Sequence, residues 1–313
     1  MDRRKVMLAG ATALLAHSGV ARAQATTKIV FANFNDEHTF GAAVLRGMQV
    51  AAKKYSNVEI LYLDNKADAA RAVENARNAV TVRASVFICY NAVPAASPQI
   101  ARLMKEANIP VLSVQVRIPN SPLYAVDNPQ SGYAAAKALA DASRAKFGAE
   151  VPAVLLLAFP EGGPLFLERT AAARKAILEV YPSAKIEEQS TKNDTAVARQ
   201  VTNDFLTRNP RGKAIVWAHV DSMGIAALTA ARNLSRGTDV LISATGGDES
   251  TLPEIRRPDS PFVGTFSFFP ELWGDELIPL ALRLAKGEVL PDTIRPKREL
   301  FVDARNIDGF YPR

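Results

Sequence analysis

The feature that most restricts this chain is an alternation of short apolar runs with amphipathic segments of helical period, sustained from residue 28 to about residue 302. Residues 28–34 (KIVFANF) read as a strand, and 40–55 as a helix with Phe40, Val44, Met48 and Ala51 on one face. Strands are expected at 58–63, 85–90 and 110–114, and helices at 68–83, capped by Asp68, and at 97–107. The pattern then repeats after a connecting helix at 131–147. Strands at 151–158, 185–189, 213–217 and 240–245 alternate with helices at 164–181, 195–207 and 222–235. A strand at 262–268, a helix at 271–286 and a last strand at 299–302 complete it. Strands short and apolar throughout, each followed by a helix, are those of parallel sheets covered on both faces. The expected fold is therefore α/β, with two Rossmann-like lobes whose last elements cross back.

The 313 residues leave room for two such lobes once the first 23 are set aside. Arg3, Arg4 and Lys5, then an apolar run from Val6 to Val20, then Ala21-Arg22-Ala23, have the order of a secretory signal peptide cut after Ala23. The run is shorter than the ~20 residues a membrane span requires. Arg3-Arg4 also fits twin-arginine export. The whole chain carries +6, but without the leader 34 basic residues face 31 acidic ones, so nucleic acid is not an expected partner. Cys89, the only cysteine, lies in an apolar run and reads as a buried structural thiol.

Ligands of open parallel sheets bind beyond the carboxyl ends of the strands. Here those ends are 33–40, 64–68, 91–97 and 115–120 in the first half, and 159–166, 190–194, 219–222 and 246–250 in the second. Asn35, His38, Asn91, Glu161, Asp194, Asp221 and Asp248 all fall in them. Asp194 and Asp221 each precede a helix and equally read as caps. Asp248, after Gly246-Gly247, reads either as a turn residue or as a direct ligand contact. Phe34, Phe40, Phe159, Phe166, Phe268 and Phe269 also cluster at strand ends. Phe40 and Phe268 are expected to be platforms for a ring, with Trp217 and Trp273 left in the packing.

Neither a dinucleotide fingerprint, a phosphate-binding loop nor a nucleophile elbow occurs, and the acids Asp36 and Glu37 after the first strand would repel a pyrophosphate. His38 and His219, the two histidines outside the leader, lie in no ligand-spaced cluster, so neither a cofactor nor a metal is expected. A carboxylate pair acting on a glycosidic bond is the enzymatic alternative.

Several short pieces, in their order, make the chain similar to the periplasmic sugar-binding proteins of the ribose/galactose type. They are Phe40 with Gly47-Met48-Gln49, Leu63-Asp64-Asn65, Ala107-Asn108-Ile109-Pro110-Val111, Asp127-Asn128 followed by Gly132, Gly246-Gly247-Asp248, and Arg305-Asn306-Ile307-Asp308. The resemblance implies a type I periplasmic binding protein fold with a three-strand hinge, closing around one sugar-like solute, and no enzymatic activity. It implies delivery to the membrane permease of an ABC importer by a periplasmic monomer, with a ligand sensor for a membrane receptor as the alternative. It also implies lobes at 26–129 with 269–291 and at 130–268 with 292–313. Phe40 then stands where the family stacks an aromatic ring on the sugar, and Asp248 where it places a hydroxyl-accepting aspartate. The departures are Gln115 in place of an acid, Arg117 one place beyond the usual arginine, and Leu167 in place of another, with Arg169 two residues on. Phe268 replaces a hinge-side amide, and His219-Val220-Asp221 lacks the family's asparagine.

Overall fold

The computed structural model describes residues 26–210 and 212–312; the leader reading at 1–23 lies outside them. The first half runs β1 (Thr27–Asn33), α1 (Thr39–Ala52), β2 (Val58–Asp64), α2 (Ala69–Thr81), β3 (Val86–Asn91), α3 (Ser97–Glu106), β4 (Val111–Gln115) and a two-residue β5 (Leu123–Tyr124). The connecting helix α4 (Asn128–Phe147) leads into β6 (Ala153–Ala158), α5 (Pro164–Val180), β7 (Ile186–Ser190), α6 (Thr195–Arg208) and β8 (Ala214–Ala218). Then come α7 (Asp221–Asn233), β9 (Val240–Gly246), the short α8 (Leu252–Arg256) and β10 (Phe262–Ser267). The chain closes with α9 (Trp273–Ala285), β11 (Thr293–Ile294), β12 (Leu300–Asp303) and α10 (Ile307–Phe310).

Two six-stranded sheets result, ordered β11-β5-β4-β3-β1-β2 and β12-β10-β9-β8-β6-β7. Every pairing is parallel except that of β10 with β12. Central strands such as β3 and β8 are buried along their whole length, because helices cover both faces. The edge strand β7 instead carries Glu187 and Glu188 on its partly exposed length, charges that discourage edge-to-edge pairing. Cys89 is buried in β3, and burial pushes its thiol up to about 12, so it is inert.

The chain passes between the sheets at 125–127, 268–272 and 295–299. The last passage comes later than the expected division at 291/292, because Thr293–Ile294 pairs with β5 and still belongs to the first sheet. Two residues carry no periodicity, so β5 and β11 have no signature in sequence. α4 starts at Asn128, three residues ahead of the expected 131, because the Asp127 side chain accepts from the Gln130 amide and caps the helix there. Asp68 caps α2 as expected, accepting from the Arg71 amide at 2.7 Å.

Candidate ligand-binding site

The carboxyl ends of both sets of strands face a single cavity of about 120 Å³. From the first sheet, His38 and Phe40 reach it at the start of α1, Asn91 at the end of β3 and Gln115 at the end of β4. From the second come Arg169 on α5, Asp221 at the start of α7 and Asp248 after β9, with Phe268 at the middle crossing. Phe40 and Phe268 meet edge to face at 6.1 Å between centroids, and Trp273 backs Phe40 at 5.3 Å. Trp217 and Trp273 are both core residues.

Arg169 forms the floor on the second-sheet side and is only 6% exposed. Its Nε and Nη2 both donate to Asn128 Oδ1, at 3.1 and 2.5 Å, and its Nη1 donates to the His219 carbonyl at 2.8 Å and to Thr245 Oγ1 at 3.1 Å. Phe166 and Phe268 lie 5.3 Å from the guanidinium carbon, so the cation is stacked by two aromatic rings. Among the described residues no carboxylate touches it, and burial draws its pKa down to about 10. The fork thereby ties α5 to Asn128, the first residue after a crossing.

Asp221 organises the loop after β9. Its Oδ2 accepts from the amides of Gly247 and Asp248, each at 2.7 Å, and its Oδ1 from Thr265 Oγ1 at 2.6 Å. It is therefore no helix cap: α7 begins at Asp221 itself, and its carboxylate anchors the loop that presents Asp248. Gly247 has φ +87°, and a Cβ there would lie 2.0 Å from Ser267 Oγ, so the tight course of this loop requires glycine. Asp248 accepts from Thr39 Oγ1 across the cleft, and the next residue, Glu249, forms an ion pair with Arg46 of α1 at 2.7 Å. The two halves thus meet around the cavity.

Four expected residues lie elsewhere. Asn35 Oδ1 accepts from the Glu37 amide at 2.9 Å, shaping the loop after β1. Arg117 is turned outward onto Asp292, at 2.8 Å, because strand alternation ends at Gln115, whose φ is +64°, so that Gln115 and Val116 line the cavity in succession and Arg117 falls outside it. Glu161 accepts from Ser190 Oγ at 2.8 Å on the surface, and Asp194 caps α6 by accepting from the Ala196 and Val197 amides. The cavity gains Phe34, Tyr90, Asn128, Phe166 and Asn193 instead. Phe34 and Phe166 carry the strand-end aromatic signal, and Asn128 belongs to the Asp127-Asn128 marker.

Protonation follows from burial. Asp221 is raised to about 7 by burial and by the neighbouring Asp248, and Glu299, at the last crossing, is raised to about 7 mainly by burial. Burial lowers His219 to about 3 and lowers His38 as well. A carboxyl with a raised folded-state pKa binds a proton that the unfolded chain does not hold until near pH 4, so it adds stability as pH falls through 7. The melting temperature is expected to rise by about 2–5 °C from pH 8 to pH 6.5. Below pH 6.5 it should level off, because the unfolded chain then protonates the histidines that the fold keeps neutral. Asp221→Asn should remove about half of the rise; an unchanged slope in that variant would reassign the titration.

A profile of the periplasmic binding protein domain matches residues 29–288, and the chain belongs to that family. Its two sheets and three crossings are those of the type I periplasmic binding protein fold. Among solved structures, an ABC transporter periplasmic solute binding protein from Actinobacillus succinogenes 130z, with bound D-allose, superimposes with a TM-score of 0.81 at 22% identity over 91% of this chain and 100% of that one. A Mycobacterium smegmatis protein in complex with beta-D-fucofuranose gives 0.80 at 20% identity, over 92% and 95% of the two chains. The arabinose-transporter binding protein from Shewanella sp. ANA-3, bound to L-arabinofuranose, gives 0.78 at 18% identity over 91% and 94%. At these identities the likeness is one of fold. No curated protein matches the sequence itself.

Proposed function

We propose that this protein is an exported solute-binding protein that captures one small sugar-like molecule by hinge closure and hands it to the permease of an ABC importer. The observation that carries the reading is one cavity lined from both sheets, with Thr39–Asp248 and Arg46–Glu249 joining its two sides. A ligand touching both halves favours the closed state by its differential affinity for it. The solved structures of similar fold, with allose, fucofuranose and arabinose bound, support a sugar-like ligand. In this reading the closing units are 26–124 with 273–294, and 128–267 with 300–312, and the protein works in the periplasm as a monomer after losing its leader.

Capture without turnover is also supported by the state of the acids. Asp221 is occupied by three protein donors, which leaves Asp248 without a free carboxylate partner for acid–base work.

A thermal-shift screen of the mature protein against sugars and polyols tests the reading, since binding stabilises by mass action. For the ligand so found, Phe40→Ala and Asp248→Ala should each weaken binding about tenfold, or ~1.4 kcal/mol, with the fold retained. Calorimetry showing unchanged affinity in both variants would move the site elsewhere.

A further inference from the structure

The polar side chains around the cavity are largely occupied by the protein. Asn91 donates to the Val93 carbonyl at 2.7 Å and accepts from the Val93 amide at 2.9 Å. Thr245 donates to the His219 carbonyl at 2.5 Å while accepting from Arg169. Asn128 Oδ1 is taken by the Arg169 fork, and Asp221 by its loop. Among the described residues the Tyr90 hydroxyl, the Gln115 amide and the amide nitrogens of Asn128 and Asn193 make no hydrogen bond and so remain for a ligand, beside the Asp248 carboxylate. His38 adds a buried Nδ1 with no partner.

Beside these groups the lining is largely apolar. At two strand ends the residue lining the cavity is a valine whose polar neighbours are engaged elsewhere. Val116 lies beside Arg117, which is held by Asp292, and Val220 lies between His219 and Asp221, both hydrogen-bonded within their own half. Leu165 is a third aliphatic side chain in the lining, and the rings of Phe34, Phe40, Phe166 and Phe268 add to it. A sugar hydroxylated on every edge would bury some hydroxyls against this apolar lining without partners, which is costly. A purely apolar ring would leave the Tyr90, Gln115 and Asn128 groups unmatched. The cavity's volume of about 120 Å³ is of the order of the ~150 Å³ engineered cavity that accepts benzene, the scale of one ring.

We infer that the ligand is a single deoxygenated sugar: a monosaccharide with at least one hydroxyl replaced by hydrogen or carried as a methyl group, its bare edge against an aliphatic part of the lining that includes Val220. The inference rests on the sugar-binding reading above and narrows it.

Matched pairs test it by calorimetry on the mature protein, unfolded and refolded to strip any carried ligand: L-fucose with L-galactose, L-rhamnose with L-mannose, 2-deoxy-D-ribose with D-ribose, and 6-deoxy-D-glucose with D-glucose. At least one deoxy member should bind about 10- to 100-fold tighter than its parent, the range a hydrophobic wall can impose. Val220→Asn, checked for folding by its melting temperature, should shrink that ratio at least threefold; an unchanged ratio would overturn the role given to Val220. If every parent that binds does so as tightly as its deoxy partner, the inference fails and the sugar reading stands. If no sugar binds while benzoate or phenol does, both fail together.

Discussion

Asp221→Ala is expected to reduce ligand affinity by a hundredfold or more and to lower the melting temperature by about 10 °C. The substitution removes the acceptor for two buried backbone amides, those of Gly247 and Asp248, and for the Thr265 hydroxyl. An orphaned buried donor costs about 1–3 kcal/mol, so the two amides alone account for several kcal/mol. A domain of this size loses about 2–4 °C for each. The affinity loss is separate in origin: without its anchor, the loop no longer holds Asp248 against the cleft or within reach of Thr39. Asp221→Asn distinguishes this positioning role from a need for charge. Its amide oxygen can accept both backbone amides and its nitrogen can donate to Thr265, so it should keep most of the stability and bind within about tenfold of wild type. Should the asparagine variant fall as far as the alanine variant, the charge itself would be required and the anchoring account would be wrong.

Asp221 also shows what was legible in the sequence. Its place at a strand end put it in the cleft loops, and its place before a helix suggested a cap; only the fold reveals that its partners are 26 and 44 residues away. Local signals of that kind served well where the partner was local, as with Asp68 and Asp194, which both cap helices. They failed where side-chain direction decides. Gln115 and Arg117 are two residues apart, yet one lines the cavity and the other pairs with Asp292, because the strand's alternation ends between them at a Gln115 with φ +64°. The architecture was readable throughout, since each long strand and helix carries its own period. Phe40, Asp248 and Phe268 were readable as site candidates from the rule that ligands gather at strand ends. Tyr90 was not: as the penultimate residue of an apolar strand it resembles core, yet it lines the cavity.

Gly132→Ala tests the scaffold beneath the site, and here the sign of the effect is informative. In an isolated helix the change should stabilise by up to about 1 kcal/mol. In this protein a Cβ at position 132 would lie 2.0 Å from the Arg169 carbonyl oxygen and 2.8 Å from its carbonyl carbon. Both are backbone atoms in the middle of α5 and cannot move aside singly. The two helices must separate, loosening Ala135, Ala136 and Leu139 from Ala173, Ala176 and Ile177 in the core between them. The variant is therefore expected to lose about 3 kcal/mol or more, a fall of about 6–12 °C in melting temperature. The displaced segment includes Arg169, whose fork on Asn128 spans α5 and the start of α4, so ligand affinity should fall with stability. Gly237→Ala is the matched control, because a Cβ there meets nothing within 4 Å, and its stability should stay within about 0.5 kcal/mol of wild type. If Gly132→Ala melted at or above the wild-type temperature, the α4–α5 contact would be a pliable one, and the glycine after Asp127-Asn128 would owe its place to something other than the close approach of Arg169.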